Sequence, residues 1–333
     1  MMAKHNIYID SSFWRNNEGD CIVSSIAFLE KCLFSPYAYY KLHFNQIQEN
    51  IDDIYKDVAE GINTTPLPPI DSLLLQLSNG GSANDLIIEK DTDYDTSFFQ
   101  RLKIEEYFGT IIFVKPGKCD GLSQEKGFLV VSNDSLQLMQ VKTLSKDEIV
   151  QDTNFTSTII PCNSIVVADR YVLKDERTID INLLPILKKM KSNVHPIHLT
   201  VLAQFTYNDG RSHISIDKAF QRLKNNLGSH GDWKIDVYNT EQKIHDRMII
   251  TNNSYITIGA GFDCRVASGS QLRVGTMTTM HTYVMPLLQN AISEEVQFYI
   301  NEINKAISGL DYTKKKSNFS TNDKNRLLKF QEQ

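Results

Sequence analysis

Hydrophobic positions recur with two different periods along the second half of this chain, and their alternation predicts a layered α/β domain. Ser164 to Leu173 (SIVVADRYVL) is a short apolar run rich in β-branched residues, the pattern of a buried strand. Asn182 to Met190 changes to a helical period, with Pro185 in the first turn, where a missing N–H costs nothing. His198 to Phe205 (HLTVLAQF) predicts a second strand. Asp217 to Leu227 then places Ala219, Phe220, Leu223 and Leu227 on one helical face and stops at Gly228. Lys234 to Tyr238 (KIDVY) predicts a third strand. Met248 to Ile250 and Tyr255 to Ile258 read as a hairpin turned by Asn252, Asn253 and Ser254. Leu287 to Ile307 follows as a long amphipathic helix, with Leu288, Ala291, Ile292, Val296, Tyr299, Ile300, Ile303 and Ile307 on one side. Strand, helix, strand, helix, strand and hairpin describe a mixed, partly parallel sheet with helices packed on it.

The first half has a weaker pattern. Ile7 to Phe13 (IYIDSSF) predicts a first strand, Ile22 to Phe34 a helix, and Tyr37 to Gly61 mostly helix. Prolines between Thr64 and Pro69 mark a loop, and Ser78 to Asn84 is a Gly/Ser/Asn-rich turn region. Thr110 to Val114, Gly127 to Val131 and Leu136 to Val141 predict strands, the last two joined through Asn133-Asp134 as a hairpin. Asp10 resembles in position the first acid of PIN-type nucleases. Without their other acidic positions it reads as an edge-strand residue beside a turn. The expected organisation is an α+β N-terminal domain over residues 1–155, an α/β domain over 156–310, and a polar C-terminal tail over 311–333. The tail carries the basic triplet Lys314 to Lys316, read as solvated charge.

Composition narrows the function classes. A chain of 333 residues suggests two domains with proper cores, and 41% hydrophobic with 23% charged residues is ordinary for a globular protein. No apolar run approaches the roughly 18 residues that span a bilayer, and the N-terminus lacks a secretory signal pattern. Five cysteines without CxxC spacing predict a reduced, cytoplasmic setting and no zinc site. A formal charge of −5 excludes a broadly basic coat for nucleic acid, though not a local patch.

The candidate chemistry lies in Lys243-Ile244-His245-Asp246-Arg247, running on to Gly259-Ala260-Gly261-Phe262-Asp263. His245 and Arg247 stand two residues apart at the start of a strand, so both project to one side of the chain. An imidazole, a guanidinium and the Asn252 amide presented together suit an anionic phosphate, and a planar guanidinium can hold two of its oxygens. Gly259 and Gly261 admit a close backbone approach to such an anion, or else simply a bulge after the strand. Arg265 and Arg273 lie downstream, where they would extend a basic rim.

These residues resemble the HxK(x)4D(x)6GS signature of the phospholipase D superfamily. His245 stands in the histidine place, Arg247 in the lysine place, Asn252 in the aspartate place and Gly259 in the first glycine place, while Ala260 replaces the serine. A closer likeness is to the C-terminal domain of MIT-domain proteins that work with the ESCRT machinery. Those domains carry a similar His-Asp-Arg segment followed by a Gly-x-Gly turn. That resemblance covers only the C-terminal half, and it implies a phospholipase D-like fold that binds membrane lipid rather than an enzyme.

In the superfamily one histidine attacks phosphorus and a second protonates the leaving group, with no metal and no cofactor. The other histidines here, His5, His43, His195, His198, His213, His230 and His281, lack Lys or Arg two places on. An active enzyme would therefore need a homodimer that brings two His245 side chains together. Asn252 also weakens the case for turnover, because replacing a carboxylate behind a catalytic histidine with an amide can cost roughly 10⁴ in rate in serine protease triads. Three readings stand. One is an impaired phospholipase D-like module that recognises a phosphodiester in nucleic acid or anionic lipid. The second is an active homodimeric phosphodiesterase or nuclease using His245, Arg247 and Asn252. The third is a scaffold whose N-terminal half binds a protein partner. Joining such a module to an unfamiliar N-terminal domain suits, by analogy of architecture, a prokaryotic defence system.

Overall fold

The computed structural model describes residues 5–10, 13, 22, 24–25, 40–41, 86–89, 109–113, 128–131, 142–145, 162, 164–190, 196–205, 213–229, 232–241, 247–251, 254–258, 279–284, 290–320 and 325–328. In the first half, β1 (His5–Asp10), β2 (Tyr40–Lys41), β3 (Leu86–Glu89), β4 (Gly109–Phe113) and β5 (Phe128–Val131) form one sheet. Its order is β2-β1-β4-β5, with β3 also on β1, and every described pairing within it is parallel.

Two expectations for this half change. Tyr40–Lys41 is a strand inside a stretch whose period reads as helix. β5 pairs in parallel with β4, and the expected hairpin between 127–131 and 136–141 falls on a partner outside the described residues. Asp10 ends β1, which has neighbours on both sides and is no edge strand. The expected helix at 22–34, apart from Ile22, Ser24 and Ser25, and the strand at 136–141 lie outside the described residues.

The second sheet is built from β6 (Lys142–Ser145), β7 (Ser164–Ala168), β8 (Ile197–Ala203), β9 (Trp233–Asn239), β10 (Met248–Thr251), β11 (Ser254–Ile258), β12 (Thr279–Val284) and β13 (Lys315–Ser317). The order is β13-β9-β8-β7-β10-β11-β12-β6. β7, β8 and β9 run parallel, and the remaining pairings are antiparallel. This is the mixed α/β sheet that the alternating periods predict, and β10 and β11 form the expected hairpin. β6 joins it from upstream of residue 155, through pairing with β12.

Every residue of β7 and β8 is buried, because helices cover both faces. A turn of α-helix at Glu176–Thr178 passes through the π-helical turn Ile179–Leu183 into α1 (Leu184–Met190). With α2 (Ile216–Gly228) it packs over Ile165, Val167, Leu199, Val201, Ile235 and Ile249. The four α2 residues buried there are Ala219, Phe220, Leu223 and Leu227, the face predicted from spacing. Arg222 of α2 forks onto Asp180 and reaches Glu176 at 3.2 Å, tying the two helical segments of this layer together. On the other face α3 (Asn290–Ser308) sets Val296, Ile300 and Ile303 against Val166, Ala168, Leu202, Met248 and Ile250. No described helix is long and apolar enough to cross a membrane.

The C-terminal segment is not a free polar tail. β13 adds to the outer edge of β9, and its lysines meet carboxylates: Lys314 with Glu241 at 3.1 Å, Lys315 with Asp236 at 3.3 Å and Lys316 with Asp217 at 2.9 Å. Asn318 clamps β9 by accepting from Ile235 N at 2.7 Å and donating to Trp233 O at 2.8 Å. Further on, Asn325 is buried and Leu327 and Leu328 enter the core beside α3. Three adjacent lysines read as solvated charge only while their partners, distant in sequence, are out of view.

Candidate functional site

The three parallel strands β7, β8 and β9 end at one edge of the sheet, and β10 starts from that same edge. Met248 is in register with Ala168, Ala168 with Leu202, and Leu202 with Tyr238, giving one row across four strands. The chain steps outward from β7 through β8 to β9 and then returns to the far side of β7 as β10. Such a reversal of strand order, at the carboxyl ends of parallel strands, is where open α/β sheets form ligand crevices.

Backbone bonds knit the segments leaving these strands. Asp169 N donates to Leu202 O at 3.2 Å, Gln204 N to Arg170 O at 3.3 Å, and Thr240 N to Ala203 O at 3.0 Å. The Asn239 side chain accepts from Phe205 N at 3.1 Å. Asp169 is fully buried, and its carboxylate accepts the Tyr171 N–H at 2.7 Å, which turns the chain sharply as it leaves β7.

That turn sets Arg170 and Tyr171 beside the start of β10. The Arg170 Cζ lies 5.1 Å from the centre of the Tyr171 ring, and the Arg247 Cζ lies 5.8 Å from it. Two guanidiniums, one from the end of β7 and one from the residue before β10, thus meet at a single phenol. Each is close enough for the attraction between a cation and the ring quadrupole, worth roughly 0.5–1 kcal/mol at exposed sites.

Of the residues singled out from sequence, Arg247 is placed at this edge; His245, Asn252, Gly259 and Gly261 lie outside the described residues, as do Arg265 and Arg273. Sequence reading missed Asp169, Arg170 and Tyr171. The signal was the charged Asp-Arg pair inside an apolar run: the strand ends at Ala168, before it, and not at Leu173. His198 begins β8 and so lies at the opposite end of the strands, ruling it out as a partner for chemistry near Arg247. His213 precedes Ser215, whose hydroxyl caps α2 by accepting from Lys218 N at 3.3 Å. Among the described residues no group of three or more His, Cys, Asp or Glu is arranged to hold a metal ion.

Beside this edge Tyr238 closes the row on β9. Burial, reinforced by the nearby Asp236 carboxylate, pushes its hydroxyl above the usual range. The Lys315 ammonium lies 5.3 Å from the Tyr238 ring. Burial opposes its charge, but Asp236 and the Tyr238 hydroxyl outweigh that and hold it above the usual lysine value. Comparison with protein-family models and with characterised proteins finds no match to this chain.

Proposed function

We propose that this chain is a phospholipase D-like module that recognises a phosphodiester-bearing ligand, in a nucleic acid or a phospholipid head group, and binds it without efficient turnover. The observation that carries this reading is the approach of Arg247 and Arg170 to the one Tyr171 ring, at the edge where parallel strands end and strand order reverses. His245, two residues upstream, supplies the imidazole of the same motif. The single copy of that motif and the amide of Asn252 in the carboxylate place argue for binding over catalysis.

Purified wild type and the variants Arg247→Gln, His245→Ala and Asn252→Asp are compared on oligonucleotides and on phosphoinositide vesicles, for binding and for hydrolysis with and without EDTA. Removing one charge-assisted contact worth about 1.5–3 kcal/mol should weaken binding by Arg247→Gln about 10- to 150-fold with the melting temperature unchanged. Any slow hydrolysis should survive EDTA, disappear in His245→Ala and rise in Asn252→Asp. Efficient wild-type turnover by a dimer would favour the homodimeric phosphodiesterase. Identical behaviour of all four proteins toward every ligand would refute phosphate recognition here and move attention to a protein partner of residues 1–155.

A further inference from the structure

We infer that the outward face of α3 is a docking surface for a second copy of this chain, paired antiparallel about a twofold axis near Ile300. Such pairing needs nothing from the phosphodiester site described above.

Glu295, Phe298, Glu302 and Lys305 are exposed and stand three, four and three residues apart, on the side of α3 away from the buried Val296, Ile300 and Ile303. That spacing is the a/d seam of a helix that meets another helix. Phe298 sits inside the seam at 59% exposure, one of two large apolar side chains exposed among the described residues. The charges around it choose the partner. A parallel copy would set Glu295 against Glu295 and Lys305 against Lys305. In an antiparallel copy centred on Ile300, Glu295 of each copy meets Lys305 of the other, at both ends of the seam. Between those ends each Phe298 lies on the stem of the opposite Glu302. The same patch therefore fits itself, as a twofold interface requires. Both end charges are already oriented: Tyr255 Oη donates to Glu295 Oε1 at 2.9 Å, and Lys305 Nζ donates to Glu302 Oε1 at 2.7 Å. A carboxylate has further acceptor sites and an ammonium has three donors, so each keeps its bond while meeting the other copy. The exposed Lys305–Glu302 pair is worth little by itself, so sharing Lys305 costs little. A seam of about 15 Å is short, which makes the interface smaller than the standard ~1,600 Å² and the dimer weak and concentration-dependent.

Sedimentation velocity of the full chain from about 1 μM to 1 mM reads the association. Wild type should pass from monomer toward dimer across that range, and Phe298→Gln should weaken the dimer about 10-fold or more. Glu295→Lys and Lys305→Glu each put like charges at both ends of the seam, so each variant alone should stay monomeric. An equimolar mixture of the two restores opposite charges at both ends and should dimerise as wild type does. Wild type that stays monomeric throughout leaves this face to a partner of another kind and overturns the inference. A dimer that Phe298→Gln and Lys305→Glu leave unchanged overturns it too, as does a mixture of the two folded charge variants that fails to associate. Circular dichroism melting checks the fold of each variant. If Glu295→Lys does not fold once its bond from Tyr255 is lost, Phe298→Gln and Lys305→Glu decide: loss of the dimer in both supports the interface, and its persistence overturns it.

Discussion

Asn325 offers a sharp test of whether the C-terminal segment is part of the domain. It is 1% exposed, and its amide nitrogen donates to Ile165 O at 2.9 Å, His198 O at 3.1 Å and Thr200 Oγ1 at 3.2 Å. Its amide oxygen accepts from Leu327 N at 3.0 Å. The side chain thus pins the segment to the starts of β7 and β8, under the core residues Leu327 and Leu328. The three acceptors share the two N–H groups of the amide, so Asn325→Ala removes two donated bonds and one accepted bond, and at about 1 kcal/mol net per hydrogen bond it should cost about 2–3 kcal/mol. Asn325→Asp is nearly isosteric but replaces the donor with a second acceptor facing two carbonyl oxygens. At neutral pH an uncompensated buried charge adds roughly 3–5 kcal/mol, a large share of a typical domain's stability. The same burial raises the folded-state pKa of the new carboxyl above its unfolded value. Protonation then favours the fold, so the variant should regain stability as pH falls and lose it as pH rises through the folded value. Urea unfolding at neutral and mildly acidic pH measures all three proteins. Should Asn325→Asp match wild type at neutral pH, or lie above Asn325→Ala there, the segment is not docked as described.

Two other expectations concern buried polar groups. Lys315→Met should destabilise the fold by about 3–5 kcal/mol by leaving Asp236 buried without its lysine, and the double variant with Asp236→Asn should recover most of that loss in a denaturation cycle. Tyr238 and Lys315 both have folded pKa values above their ordinary 10.0 and 10.5, so their contribution is complete below those values. It should fade as pH rises through the higher folded values, seen as an alkaline fall in melting temperature that Lys315→Met reduces. Cys162 is fully buried, with its Sγ 3.6 Å from Met190 O and its thiol pushed far up by burial. Peptide mapping after iodoacetamide treatment should show Cys162 unmodified in the native protein and modified in urea; rapid native labelling would contradict its place in the core.

Sequence alone determined the α/β layering of the second half. Strand β7 is a β-branched run, β8 and β9 are short segments rich in apolar residues, α2 shows its buried face at helical spacing, and the hairpin announces itself by two apolar runs around Asn252-Asn253. Those signals are local: each element must hide its own apolar side chains, so its period records which face is covered. It also marked Arg247 as a candidate, through its spacing from His245. Only the tertiary structure decided which distant residues meet. The strand run that reads through to Leu173 ends at Ala168, because the buried Asp169 carboxylate captures the Tyr171 N–H and turns the chain. That turn, together with the pairing of β10 on β7, brings Arg170 and Tyr171 to Arg247 across some 76 positions of sequence. Likewise Lys314, Lys315 and Lys316 carry no local sign of Glu241, Asp236 and Asp217, and β6 carries none of β12. Partner choice between strands and between charges is set by packing of the whole sheet, and no periodicity within a single segment encodes it.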